Sequence, residues 1–189
     1  MKTGAAITTE RLVLRGWTRS ARDLDAFHRL YSDETVMRYF PYRLNRAEAA
    51  SRMEEMRRAA MENGIGWAAA CLRQTDEPVG IVGLSRFNAE MPAYPGVEIG
   101  WRLLPGHFGK GLASEAASAL VAHGFRDLAL REIVAFAVPA NTASLAVMAR
   151  IGMHPVPELE FDHPRVPATH PHLVRHVTWR IRAAQWLSA

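Results

Sequence analysis

The chain has 189 residues, 49% of them apolar and 22% charged, with a formal net charge of +4. This is a globular composition, long enough to bury a sizeable core in one domain or two small ones. No apolar run approaches the ~20 residues of a membrane span, and no dense Lys/Arg run or nucleic-acid motif accompanies the positive charge, so neither a membrane nor DNA is the expected partner.

The N-terminal MKTGAAITTERLVL lacks the apolar centre of a secretion signal. ITTERLVLRGW reads as one strand, Leu12 and Leu14 alternating against Arg11, Val13 and Arg15. Ser20 followed by Asp23 caps a helix through Leu24, Phe27, Leu30 and Tyr31. DETVMRYF is a short helical piece ended by Pro41. NRAEAASRMEEMRRAAMENG is a longer helix: Asn45 opens it, Met53, Met56 and Ala60 share a face, and Gly64 stops it. The period then changes, and IGWAAACLR, EPVGIVGLSRF and YPGVEIGWRLL are three strands joined by turn-prone QTDEP and NAEMPAYPG. Cys71, inside the first of these, is a small core residue; as the one cysteine it excludes an internal disulfide and makes a reducing cytoplasmic location the default.

A helix from Ala113 to Leu128 follows, then a strand REIVAFAV, a short helix TASLAVMARI stopped by Gly152, and a Pro/His-rich stretch. The last strand, LVRHVTWRI, is read as an edge able to pair two subunits, so monomer and homodimer both stand. With no repeat and no linker, the order predicts one α+β domain over residues 1–189, a mixed sheet of about six or seven strands flanked by helices.

HFGKGLASEA, His107–Ala116, carries two glycines around a lysine where a strand gives way to a helix. A P-loop needs four residues between its glycines and a Ser or Thr after the lysine; Gly106 and Gly109 are separated by two, and Gly111 follows Lys110. A dinucleotide fingerprint is met in its first two glycines, but Glu132, at roughly the required ~20 residues, begins a strand where it should end one. The physics remains: a glycine turn at a helix N-terminus offers free backbone N–H groups and a positive dipole end to phosphate oxygens. The preceding strand alternates Val97, Ile99, Trp101 and Leu103 against Glu98, Gly100 and Arg102, and mid-strand Gly100 permits close approach of a ligand arm. A pyrophosphate with an extended, amide-bearing arm fits; coenzyme A is such a molecule.

EIGWRLLPGHFGKGLASEA followed by IVAFAVPANTASLAVMARIGM resembles the cofactor half of a GNAT N-acetyltransferase, closest to its RimJ/RimL-like branch. The family's Q/R-x-x-G-x-G/A element falls on Phe108, Gly109, Lys110, Gly111, Leu112 and Ala113, with Phe108 in place of the usual Gln or Arg. The resemblance implies acetyl-CoA as co-substrate, no metal, and a cofactor site of Trp101, Arg102, Leu103, Phe108 to Ser114, Asn141 and Ser144. It also implies direct transfer in a ternary complex to an amine acceptor: a protein N-terminus, a peptide or a small amine. Lys110 is expected to contribute only modestly beside the backbone amides.

For the chemistry, Glu98 is a candidate base or a surface carboxylate paired with an arginine. Many members use a tyrosine as acid in the helix after the family's second signature, matched here by Asn-Thr-Ala-Ser at 141–144; Met148 stands there, leaving Ser144 as the hydroxyl for that role or for a hydrogen bond to cofactor or helix. The resemblance points to acceptor walls in Val36–Leu44 and the 157–172 loop, with Tyr39, Phe40 and Tyr42 as lining or as a plug on a core edge. His163 and His176 are candidate bases or acceptor contacts. The histidines at 154, 163, 170, 172 and 176 are assigned to Pro-broken loops, without the fixed spacing of metal ligands. Two other classes fit parts of the pattern: a non-catalytic acyl-CoA sensor, and a basic nucleic-acid module whose binding would fall steeply with salt.

Overall fold

The computed structural model describes residues 6–87, 91 and 95–188, so most of the predicted turn NAEMPAYPG lies outside the described residues. The N-terminal segment is a hairpin, β1 (Ile7–Thr8) and β2 (Leu12–Arg15), where the alternation had suggested a single strand. The bend at Glu10–Arg11 is closed by Thr9, whose N–H donates to the Leu12 carbonyl and whose hydroxyl oxygen accepts from the Leu12 N–H. α1 (Ala21–Ser32) is capped by Ser20, which accepts from the Asp23 N–H, and α2 (Arg46–Asn63) by a reciprocal box between Asn45 and Glu48. Gly64 ends α2 at φ 70°, the left-handed conformation that glycine adopts without strain.

Between these helices the predicted helical piece before Pro41 is a run of turns. Asp33 Oδ1 accepts from the Thr35 and Val36 N–H groups, a side-chain turn that competes with helix propagation.

Next come β3 (Trp67–Leu72), β4 (Pro78–Arg86), β5 (Val97–Leu103), α3 (Leu112–Arg126), β6 (Glu132–Ala137), α4 (Thr142–Arg150), β7 (His154–Pro155), β8 (Phe161–Asp162), β9 (Arg175–Arg182) and α5 (Ala183–Leu187). The sheet order is β1-β2-β3-β4-β5-β6-β9-β7, with β8 also on β9. Six strands have four residues or more and three have two, which is how nine strands meet an expectation of six or seven. β5 and β6 are parallel, joined through α3, and the other pairs are antiparallel, giving a mixed sheet in an α+β fold.

β9 is interior, paired to β6 on one side and to β7 and β8 on the other, so the expectation of an edge there is corrected. Pro155 and the two-residue length of β7 end the ladder early.

Strand alternation sends two sets of side chains to opposite faces. On one face Ala68, Ala70, Val82, Leu84, Val97, Ile99, Ile133 and Ala135 pack against Leu112, Ala116, Leu120 and Phe125 of α3 and Val147 and Met148 of α4. On the other, Ala69, Cys71 and Ile81 meet Phe27, Leu30 and Tyr31 of α1 and Met53 and Met56 of α2. Burial pushes the Cys71 thiol up to about 12, as expected of a core residue. Among the described residues, no helix is long and apolar enough to cross a membrane.

Candidate active site

β5 is registered with β4 along its whole length, from Arg86↔Val97 to Gly80↔Leu103, but with β6 only at Glu98↔Val134. Beyond that pair the two parallel strands part. Both run toward the same edge, β5 into the glycine turn and β6 into the loop before α4. A gap between diverging parallel strands, at their carboxyl ends, is where open α/β sheets hold ligands.

The first wall of the gap is backbone. After a 3-10 turn at Pro105–His107 and Phe108, an aromatic left 46% exposed, Gly109 and Gly111 take φ of 71° and 76°. Both are left-handed conformations that a side chain would strain. Gly111 caps α3 with no side-chain hydrogen bond. Among the described residues, no N–H from Gly109 through Ser114 donates to a protein acceptor, and the Ser114 hydroxyl is buried without a partner. Six consecutive N–H donors and an orphaned hydroxyl at a positive helix end form a cradle shaped for an anion. Leu103 and Leu112 are buried in the core, so only their backbones face the gap. The Lys110 side chain is exposed.

The turn is held from outside. Arg11 Nη1 donates to the Lys110 carbonyl at 2.8 Å. Glu115, in the first turn of α3, accepts from Thr9 Oγ1 at 2.6 Å, Arg11 N–H at 2.8 Å and Arg11 Nε at 2.6 Å. These contacts hold its carboxyl below its usual range against the opposing cost of burial.

The second wall is the start of α4. Asn141 Oδ1 accepts from the Ser144 N–H at 3.2 Å, the helix cap that its position suggested. Among the described residues, the half-buried Ser144 hydroxyl makes no hydrogen bond. Tyr39 reaches across to donate to the Ala140 carbonyl at 2.9 Å, tying the segment after α1 to this wall. Met148 is 1% exposed and belongs to the core.

Where the strands part, Glu98 stands between two side-chain groups on the α1–α2 face. Its carboxyl makes no hydrogen bond or ion pair among the described residues, and burial pushes it up to about 7 against the opposing field of Arg165. On one side lies Arg102, whose guanidinium sits 4.1 Å from the Tyr31 ring centre and 4.8 Å from that of Phe40. Its Nη2 donates to Tyr31 Oη at 2.6 Å, so the side chain turns toward α1 and only its backbone lies on the gap. On the other side Phe136, two residues beyond Val134 on β6, contacts His163 and His176 at 5.9 and 5.7 Å between ring centres.

The two imidazoles are 5.0 Å apart. Burial, then His176 and Arg165, lower His163 to about 4, so it is neutral near pH 7. His176 lies in β9 and His154 in β7 instead of loops. Among the described residues, no three His, Cys, Asp or Glu gather as a metal would need.

Sequence reasoning missed Tyr31 and Trp67. The signal for Trp67 was a pair of glycines at mid-strand, Gly83 and Gly100, which face each other in register beside it.

The profile of the acetyltransferase (GNAT) domain family matches residues 11–154. An uncharacterized N-acetyltransferase of Bacillus subtilis, YnaD, is 33% identical over 147 residues, spanning 78% of this chain and 81% of that protein. The structure of a GNAT-family acetyltransferase from Bacillus anthracis superposes with a TM-score of 0.77 at 28% identity, over 95% of this chain and 99% of that one. RimL, a ribosomal L7/L12 α-N-protein acetyltransferase solved with coenzyme A, shares the fold at a TM-score of 0.74 and 17% identity, over 94% and 98%.

Proposed function

This chain belongs to the GNAT family of acetyltransferases, and from that premise we propose that it moves the acetyl group of acetyl-CoA directly to a primary amine, an N-terminal α-amine of a peptide or protein in the manner of the RimJ/RimL-like branch. The observation that carries this is the run of unpaired N–H groups from Gly109 to Ser114, with the orphaned Ser114 hydroxyl, beside the point where β5 leaves β6.

The residues present fit the co-substrate. The amides of Gly109–Ser114 and the Ser114 hydroxyl hold its pyrophosphate, and Lys110 adds a screened charge. The edge of Trp101–Leu103, unpaired on the β6 side, would bond the amides of its arm, and Phe108 and Asn141 would contact it. Bound acetyl-CoA supplies an acetyl group already activated as a thioester.

The chain's own part in the reaction is to prepare the amine and manage protons. Glu98 takes a proton from the acceptor ammonium, directly or through water; a base near 7 is matched to that task at neutral pH. Ser144, its hydroxyl uncommitted among the described residues, would pass a proton to the departing sulfur and regain one, through water, from the nitrogen that becomes the amide. Backbone N–H groups of the β5 edge polarise the acetyl carbonyl. Tyr39, Phe40 and the neutral His163 wall the acceptor side, and the whole of residues 1–189 serves as one domain. The α-amine reading draws support from the shared fold with RimL, whose stated activity is of that kind.

The test is titration calorimetry with acetyl-CoA, ATP and NAD, followed by coenzyme A release with peptide and small-amine acceptors. Selective binding of acetyl-CoA and turnover on peptides is the expected result. NAD binding without acetyl-CoA binding overturns the cofactor, and turnover confined to small amines overturns the acceptor.

A further inference from the structure

Glu98, Gly100 and Arg102 point to the same face of β5, and same-face residues four apart put the two charged ones about 13 Å from each other along the strand. The position between them is floored by an indole. Trp67, Gly83 and Gly100 are opposite one another on β3, β4 and β5. A Cβ on Gly100 would come within 2.7 Å of Trp67 Cη2, so the half-buried ring crosses Gly83 and rests over Gly100. The far end of this strip is the Arg102 guanidinium. It uses two of its five N–H donors, one on Tyr31 Oη and one, at 3.2 Å, on the weakly accepting Met37 sulfur. Two aromatic rings flank it, and no carboxylate lies within ion-pair distance among the described residues. Three N–H donors of this half-buried guanidinium are left for an anion.

We propose that an anion comes with the acceptor: Arg102 receives a carboxylate side chain from the third or fourth residue of a peptide whose α-amine lies at Glu98 and whose backbone crosses the Trp67 indole. This rests on the acetyltransferase reading above and adds the substrate class. Length selects the peptide. A free amino acid holds its amine and carboxylate only about 3 Å apart, too close to serve both ends of the strip, whereas each residue of an extended peptide advances about 3.3 Å. The charges agree: the chain carries a net +4, so an acidic peptide is drawn in.

The experiment compares kcat/KM on C-terminally amidated tetrapeptides with Asp or Glu at position three or four against their Asn or Gln counterparts, in the intact protein. The acidic peptides are expected to be better by about tenfold, a preference that shrinks as ionic strength rises. In Arg102→Met the acidic-to-neutral ratio falls to about one, and Arg102→Lys keeps part of it. Because the ratio is internal to each variant, a general loss of activity does not imitate the result, and the wild-type ratio and its salt dependence stand even if a variant folds poorly. A wild-type ratio near one, a ratio unchanged in Arg102→Met, or a preference for short anionic amines over every peptide overturns the proposal. Acetyl-CoA binding and turnover of the neutral peptides report separately on the acetyltransferase reading.

Discussion

The two faces of the gap are made of different material. Toward α3 and α4, ligand-facing polarity is concentrated in backbone: amides freed by left-handed Gly109 and Gly111, over a layer of Ala, Val and Leu. Toward α1 and α2 it is carried by side chains with perturbed or unpaired charge: Glu98, Arg102, and the His163–His176 pair. A backbone site depends on conformation and is tolerant of side-chain identity, while a side-chain site depends on identity and local dielectric. Substitutions on the two faces should therefore fail differently, the first in cofactor affinity and the second in turnover and pH dependence.

Glu98→Gln gives the largest effect. Turnover at pH 8 falls by about 10²–10³-fold, and acetyl-CoA affinity by calorimetry stays within about twofold. Wild-type kcat/KM rises with pH through about 7, as Glu98 loses its proton, and the variant lacks that limb. The same burial carries a stability cost. A carboxyl raised in the folded state contributes stability fully present below its unfolded value near 4.5 and lost as pH rises through about 7, which amounts to about 3 kcal/mol by pH 8. Glu98→Gln is therefore inactive and more heat-resistant than wild type at pH 8. An inactive variant with a lower Tm would place the defect in folding instead of proton transfer.

On the opposite face, Gly111→Ala forces a side chain into φ 76°, about 1–2 kcal/mol of strain, and weakens acetyl-CoA binding roughly tenfold or more while the pH limb stays at about 7. Lys110→Ala weakens it only about two- to threefold, the contribution of one exposed charge. If Lys110→Ala matches Gly111→Ala in Kd, the backbone account of this face is wrong. Ser144, a side-chain hydroxyl on α4, is the exception on this face: Ser144→Ala lowers kcat about tenfold without changing acetyl-CoA affinity, and near-normal kcat assigns that hydroxyl no acid role.

This division also explains what the sequence could tell. The wall proposed for the cofactor is a local motif: left-handed Gly109 and Gly111 and the Asn141 cap follow from residue type and near neighbours in the chain. Caps behaved the same way, with Ser20, Asn45 and Gly64 acting where their chemistry suggested. Non-local features were less legible. The hairpin bend at Glu10–Arg11 sits inside an alternating run, and β7 and β8 are two-residue strands that exist because β9 offers them an edge. Arg102 was assigned to the cofactor by its neighbours in sequence, and its side chain is drawn away by Tyr31 and Phe40, some 70 and 60 residues distant along the chain. Trp67 was invisible until the register put Gly83 and Gly100 beside it.

The smallest expected effect tests whether Glu98 alone governs proton transfer. His163 packs against Phe136, Phe161 and His176, and its depressed pKa leaves it uncharged over the working range. His163→Phe keeps the ring and removes the titration, so kcat should change by less than about threefold and the limb near 7 should stay. Stability should respond more clearly. A histidine lowered from 6.5 to about 4 contributes stability present above its unfolded value and lost as pH falls toward 4; between pH 7 and 5 this opposes the gain from Glu98. His176 is lowered too and remains in the variant. Thermal unfolding of His163→Phe should therefore gain more on acidification from pH 7 to 5 than wild type does. If the variant instead loses the kinetic limb near 7, the base is His163, and the raised carboxyl at Glu98 serves the acceptor's charge without taking its proton.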